Sequence, residues 1–167
     1  MISEFLAEHG LTATTIKTTA PLPQEAMAYA EVEQMAMQLV RQLQLLEARG
    51  YTILFWQPSA ILVTLFQTGQ TLYLLAGGAP YVPLDKKDAS LLVLRYPPLL
   101  TEWCAPELRK IPALPFLTHR SASYYSLALV CLAQTHLSLA ELQGTKLFYF
   151  LERCLKHDPK ERLLLYL

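Results

Sequence analysis

Residues 121–136 read SASYYSLALVCLAQTH, a helix-length run that is apolar almost all round. A helix without a polar face is buried at the centre of its domain, so the rest of the chain has to be laid around this segment. Two further stretches have the periodicity of helices with one apolar face. From about Gln24 to Arg49, residues Met27, Val32, Met35, Leu39, Leu43 and Leu46 recur at spacings of three to five, and Gly50 is a natural stop. Over 145–157, Leu147, Phe150, Leu151 and Leu155 share a side. Asp158-Pro159-Lys160-Glu161 then reads as the start of a last helix, with Asp as N-cap, Pro in the first turn and Glu closing a capping box.

Strand character is concentrated in one place. YTILFW (51–56) and AILVTLF (60–66) are rich in β-branched and aromatic residues and are separated by Gln57-Pro58-Ser59. Thr68-Gly69-Gln70 is a turn and TLYLLA (71–76) a third strand, so Ala60 to Ala76 is expected to form a hairpin. The opening MISEFLAEHGL is followed by a Thr-rich linker, TATTIKTTAPLP (12–23). Ala79 to Thr101 is Pro-rich and reads as an irregular, mobile loop with some strand character at SLLVLRY (90–96); a short helix is expected over 106–110. The reading is one domain over 1–167: a linking segment to residue 23, then a mainly α core with a small β-hairpin.

The chain has 167 residues, 53% hydrophobic and 17% charged, with zero formal net charge. That is too apolar for disorder, and without a basic cluster it gives no footprint for nucleic acid. The apolar excess points instead to a surface patch that meets a partner. Cys104, Cys131 and Cys154 are odd in number and far apart, which fits free buried thiols in a reducing, cytoplasmic setting. Met1 to Gly10 lacks an apolar signal core, and no run of eighteen apolar residues occurs, so neither secretion nor a membrane span is expected.

Several short motifs, in order, resemble the C-terminal lobe of the protein-kinase fold. FWQPSAILV (55–63) is similar to the end of the catalytic loop, usually Asp-Leu-Lys-Pro-Glu-Asn-Ile-Leu-Val. CAPEL (104–108) resembles the end of the activation segment, SYYSLALV (123–130) the start of the central helix, and FLERCLKHDPKERL (150–163) the last two helices. MISEFLAEHGL resembles the segment that joins the two kinase lobes. The resemblance implies a mainly α, kinase C-lobe-like helical domain without the N-lobe, and a buried ion pair between Glu107 and Arg162. A planar guanidinium can hold a carboxylate through two parallel hydrogen bonds.

The same resemblance implies that catalysis is lost. Phosphoryl transfer needs a base for the hydroxyl, a lysine and metal-binding side chains around the triphosphate. The position of the catalytic Asp is occupied by Phe55, the Lys by Gln57 and the metal-binding Asn by Ala60. The Asp-Phe-Gly position falls on Ala76-Gly77-Gly78. Independently of any family, no Asp or Glu lies between Gly50 and Pro80. His119, His136 and His157, with Ser59, Ser121 and Ser126, offer parts of a hydrolase, but no G-x-S-x-G elbow is present.

No enzyme activity, cofactor, metal or ATP is therefore expected. The pattern is similar to that of pseudokinases and of the kinase non-catalytic C-lobe domains (the KIND class), which implies a protein-binding scaffold. The partner would be another protein or a second copy. Alternatives are a regulator or decoy that binds an active kinase or its substrate, and a structural homo-oligomer. Phe5, Leu6, Phe55 and Trp56 are the expected interaction surface, on the face that a missing N-lobe would uncover.

Overall fold

The computed structural model describes residues 1–76 and 78–164. Gly77 and residues 165–167, the end of the expected last helix, lie outside the described residues. In chain order the elements are α1 (Ile2–Glu8), β1 (Ile16–Pro21), α2 (Tyr29–Glu47), β2 (Tyr51–Ile53), β3 (Ile61–Phe66), β4 (Thr71–Leu75), β5 (Tyr81–Pro83), β6 (Leu91–Leu94), β7 (Phe116–His119), α3 (Ala122–Thr135) and α4 (Lys146–Cys154).

The all-apolar run becomes α3, and it is buried from Ala122 to Thr135 on most of its faces. The apolar stripe of α2 (Val32, Met35, Leu39, Leu43) and that of α4 (Leu147, Phe150, Leu151) pack against it in the largest core cluster, together with Trp56. Helix α2 starts later than its periodicity alone indicates. The Ala28 N–H donates to Glu31 Oε2 at 3.0 Å, which fixes the first turn there. The segment before it is held against α3 by the Met27 N–H, which donates to the Gln134 carbonyl at 2.9 Å. After α2, Gly50 takes φ +81°, the left-handed conformation that ends the helix without a Cβ penalty.

The expected hairpin is β3–β4, with Ile61 opposite Leu75 and Leu65 opposite Thr71. Its neighbour is a surprise of the structure. The Thr-rich linker folds as β1 and pairs antiparallel with β3, giving a sheet of order β1-β3-β4. The outer edge of β1 carries Lys17 and Pro21, and a register shift lies between Ile16 and Thr18; these are features that discourage further strand pairing.

The other edge of this sheet is closed by side chains. The Phe66 N–H donates to the Gln70 carbonyl, so the even-numbered residues of β4 face β3 and the odd ones face α2. There the buried Gln42 amide accepts from the Leu75 N–H at 3.0 Å and donates to the Tyr73 carbonyl at 2.8 Å. Gln38 Oε1 accepts from the Tyr73 N–H at 2.7 Å. Two glutamines of α2 thus stand in for the next strand.

The Pro-rich region is not an irregular loop. It supplies β5, which pairs with β2, and β6, which pairs with β7 from the segment after Pro115. The stretch 106–110 forms a single 3-10 turn (Pro106–Arg109), and the expected last helix is a 3-10 turn over Pro159–Glu161, with Asp158 Oδ1 accepting from the Lys160 N–H at 2.9 Å.

These strands overturn the expectation of a mainly α, kinase C-lobe-like helical domain with one hairpin. Among the described residues the chain has four α-helices and seven strands in three small antiparallel sheets, an α+β fold. The excess of strand comes from segments whose partners lie far along the chain. No helix among the described residues is long and apolar enough to cross a membrane.

Candidate functional site

Glu107 and Arg162 are brought together across the base of α3. Arg162 Nη1 and Nη2 donate to Glu107 Oε1 and Oε2 at 2.6 and 2.9 Å. Its other donors go to the carbonyls of Lys156 (2.7 Å), His157 (3.0 Å) and Ser121 (3.3 Å). All five guanidinium N–H groups are therefore used, and the Tyr125 ring lies 4.7 Å beneath the Arg162 guanidinium carbon. A charge consumed in this way holds three chain segments and is free for no substrate.

Phe55, Gln57 and Ala60, the residues expected to stand at degenerate catalytic positions, sit in a short link between β2 and β3, and Ala76 follows β4. Phe55 and Ala60 are buried, and Gln57 and Ala76 are half-buried. Trp56 anchors the link to α3. Its backbone N–H donates to Ser126 Oγ at 2.7 Å, its indole N–H to Ser123 Oγ at 3.0 Å, and Ser126 Oγ donates back to its carbonyl at 3.2 Å. Ser123, fully buried, thus holds the link to α3.

The expected interaction surface is corrected. Phe5 and Trp56 are 0% exposed, and Leu6 and Phe55 are 2% and 5% exposed. Phe5 and Leu6 pack on Leu45, Phe66 and Leu72, where α1 lies against α2 and the sheet; Arg41–Glu8 and Arg49–Glu4 ion pairs tie α1 down from outside. Phe55 packs on Leu84, Leu92 and Leu108. The chain's own strands and helices cover Phe5, Leu6 and Trp56, and Phe55 reaches the surface only at the floor of a cleft.

The exposed apolar surface is elsewhere. Tyr96 and Leu99 are 80% and 79% exposed; Leu100 follows them in sequence, Leu117 lies opposite Val93 across β6–β7, and Tyr81 and Leu114 are exposed as well. A cleft of about 530 Å³ opens here between β5 and β6. Its floor includes Phe55 and Gln57, and its walls Tyr81, Val93, Tyr96 and Leu99. Arg95 is the one charged side chain among the described lining residues. A second hollow of about 350 Å³ lies on the far side of Pro97-Pro98, between Leu100, Ile111 and Leu114. The rib that separates them is stiff, because each proline fixes its own φ. Arg95, Tyr96 and Leu99 were not legible as a site in the sequence; the available signal was a run of large apolar residues beside Pro-Pro that follows neither helix nor strand period.

A polar cavity of about 420 Å³ lies on another face, with Glu47, His119, Arg120, Tyr124 and Lys160 around it. Burial pushes the Glu47 carboxyl above its usual range, against the opposing pull of Arg120, Tyr124 and Thr52. Burial, with the charges of Arg120 and Arg162, pushes His119 down. His119 Nδ1 is 2.8 Å from Ser121 Oγ, a Ser/His pair on paper. Ser121 is fully buried and its hydroxyl donates to the Pro159 carbonyl at 2.6 Å, so it is no nucleophile for an incoming substrate. Cys104, Cys131 and Cys154 are free and buried, and burial raises the thiols of Cys131 and Cys154 well above their usual range. Among the described residues no group of three or more His, Cys, Asp or Glu side chains is placed to hold a metal ion.

No protein-family model matches the chain, and no curated protein matches it either. The functional reading rests on the residues themselves.

Proposed function

We propose that this chain is a non-catalytic protein-interaction module that docks a protein segment in the apolar cleft between β5 and β6. One observation carries the reading: the cleft that borders the catalytic-loop positions is walled by Tyr81, Val93, Tyr96 and Leu99, with no carboxylate among its described lining residues. A phosphoryl-transfer site needs carboxylates for metal and proton at such a place. An exposed apolar cleft with aromatic walls and one cation instead fits recognition of another polypeptide.

The test compares proteins retained from a cell extract by the immobilised chain and by its Tyr96→Glu/Leu99→Glu variant, each with and without Mg-ATP. Both side chains are exposed, so the variant is expected to fold. The proposal predicts a protein held by the parent chain, lost from the variant and indifferent to Mg-ATP. Retention by both chains alike, or a melting temperature raised by Mg-ATP, contradicts it.

A further inference from the structure

The cleft is open because a β-ladder stops early, and the reason is a proline. β5 and β6 meet at one isolated antiparallel bridge, Leu84 opposite Leu92, and beyond it form no ladder. Continued, that register would set Pro83 against Val93, Val82 against Leu94 and Tyr81 against Arg95. Each strand's other edge is already occupied. The Leu54 N–H donates to the Pro80 carbonyl and the Leu84 N–H to the Gly50 carbonyl, both at 2.9 Å, so even-numbered residues of this ribbon bond to the β2 side. The Arg120 N–H donates to the Ser90 carbonyl at 2.8 Å, so even-numbered residues of β6 bond to β7. By the alternation of an antiparallel ladder, Tyr81 and Pro83 on one wall, and Val93 and Arg95 on the other, turn their backbone groups towards the gap; the bridge itself takes the Val93 N–H and the Pro83 carbonyl, which leaves the Val93 carbonyl, Tyr81 and Arg95 facing the cleft. Pro83 has no N–H to offer the Val93 carbonyl, so the ladder cannot pass it. The strands part there, and the cleft begins.

We infer that the occupant of this cleft is an extended segment of a partner protein, added as a strand to the backbone edge at Tyr81, Val93 and Arg95, with an acidic side chain paired to Arg95. The inference rests on the docking reading above and specifies its mode. Strand addition takes affinity from main-chain hydrogen bonds and selectivity from pockets that receive alternate side chains. Both are present: unextended edges on facing strands, and an apolar hollow for one side chain of the segment. Arg95 is exposed and is the one charge among the described residues lining the hollow, so complementarity asks for a carboxylate on the segment. The outer edge of β1 is less suited, since Lys17, Pro21 and the register shift discourage pairing.

The probe is a phage-displayed library of linear random peptides selected on the full chain, followed by synthetic versions of the enriched sequences. The expected peptides combine large apolar residues with Asp or Glu. N-methylation of every second amide should weaken binding by about tenfold or more, the loss of one or two strand hydrogen bonds, while methylation of the amides between leaves it nearly unchanged. In Arg95→Glu the preference for an acidic peptide residue should reverse to a basic one. Peptides lost from Leu99→Glu but tolerant of N-methylation everywhere would overturn strand addition and leave docking in the cleft intact. No enrichment, or peptides indifferent to Leu99→Glu and Arg95→Glu, would overturn both. Self-association abolished by Leu99→Glu, closing the cleft to all peptides, would overturn a partner segment in favour of a second copy.

Discussion

Arg162 shows how a single side chain can be indispensable to the structure and idle in chemistry. Its guanidinium is fully buried, and Glu107 is its one anionic partner among the described residues. Removing the carboxylate leaves the cation uncompensated, a change that typically costs about 3–5 kcal/mol. Glu107→Ala should therefore lower the unfolding free energy by that order in a denaturant titration. The Glu107→Leu/Arg162→Met double variant removes both charges together but leaves the carbonyls of Lys156, His157 and Ser121 without their donor, so it should not regain the stability of the parent chain. A Glu107→Ala variant as stable as the parent chain would mean that the pair contributes nothing. Glu47 makes the opposite case, a carboxylate whose ionised form is disfavoured. Its folded pKa lies above the ordinary 4.5 because burial disfavours the anion. Its linkage contribution is thus fully present below the unfolded value and is lost as pH rises through the folded one. The stability of the parent chain relative to Glu47→Gln should fall as pH climbs from 4.5, the ordinary value, measured by unfolding at a series of pH values. A relative stability that rises over that range would contradict the sign.

At the scale of elements, the β1-β3-β4 sheet ends against a helix without presenting a raw edge, since Gln38 and Gln42 take the place of a strand. Gln42→Leu keeps the volume roughly constant but orphans the Leu75 N–H and the Tyr73 carbonyl, both buried. Leaving buried backbone groups unpaired costs about 1–3 kcal/mol each, so the variant should unfold at clearly lower denaturant; an unchanged midpoint would mean that water replaces the amide. The sequence announced some elements and concealed others for physical reasons. The β3–β4 hairpin was legible because Ile61–Phe66 and Thr71–Leu75 are dense in strand-forming residues around a Gly turn. Helix α3 was legible because no charged residue interrupts it. β1 was not: its five residues from Lys17 to Pro21 are all exposed, so no alternation marks it, and its partner β3 lies more than forty residues on. β6 and β7 pair across a Pro-rich span that reads locally as a loop, and only tertiary contact makes them strands.

For the whole molecule, the question was which apolar side chains the fold hides and which it leaves out. Local pattern does not answer it. Phe5, Leu6, Phe55 and Trp56 are the kind of residues that make interfaces, yet α1, the sheet and α3 enclose them. Tyr96, Leu99 and Leu100 belong to a segment with no period, and they remain outside because the Leu84–Leu92 bridge is not extended past Pro83. The Glu107–Arg162 pair was the part of the site most legible in advance, because it rests on two motifs at either end of the central helix. The cleft was the least legible, because it is made by the absence of a ladder.

The central claim is that this cleft meets another protein. The most direct test places a photo-reactive phenylalanine analogue at Tyr96, 80% exposed on the cleft wall, and separately at Tyr149, 44% exposed on α4. Irradiation with the chain's natural partners present is expected to give a discrete adduct from position 96 and none from 149, with the crosslinked partner residue lying in an extended acidic-apolar segment. Adducts of equal yield from both positions, or none from position 96, would contradict the account.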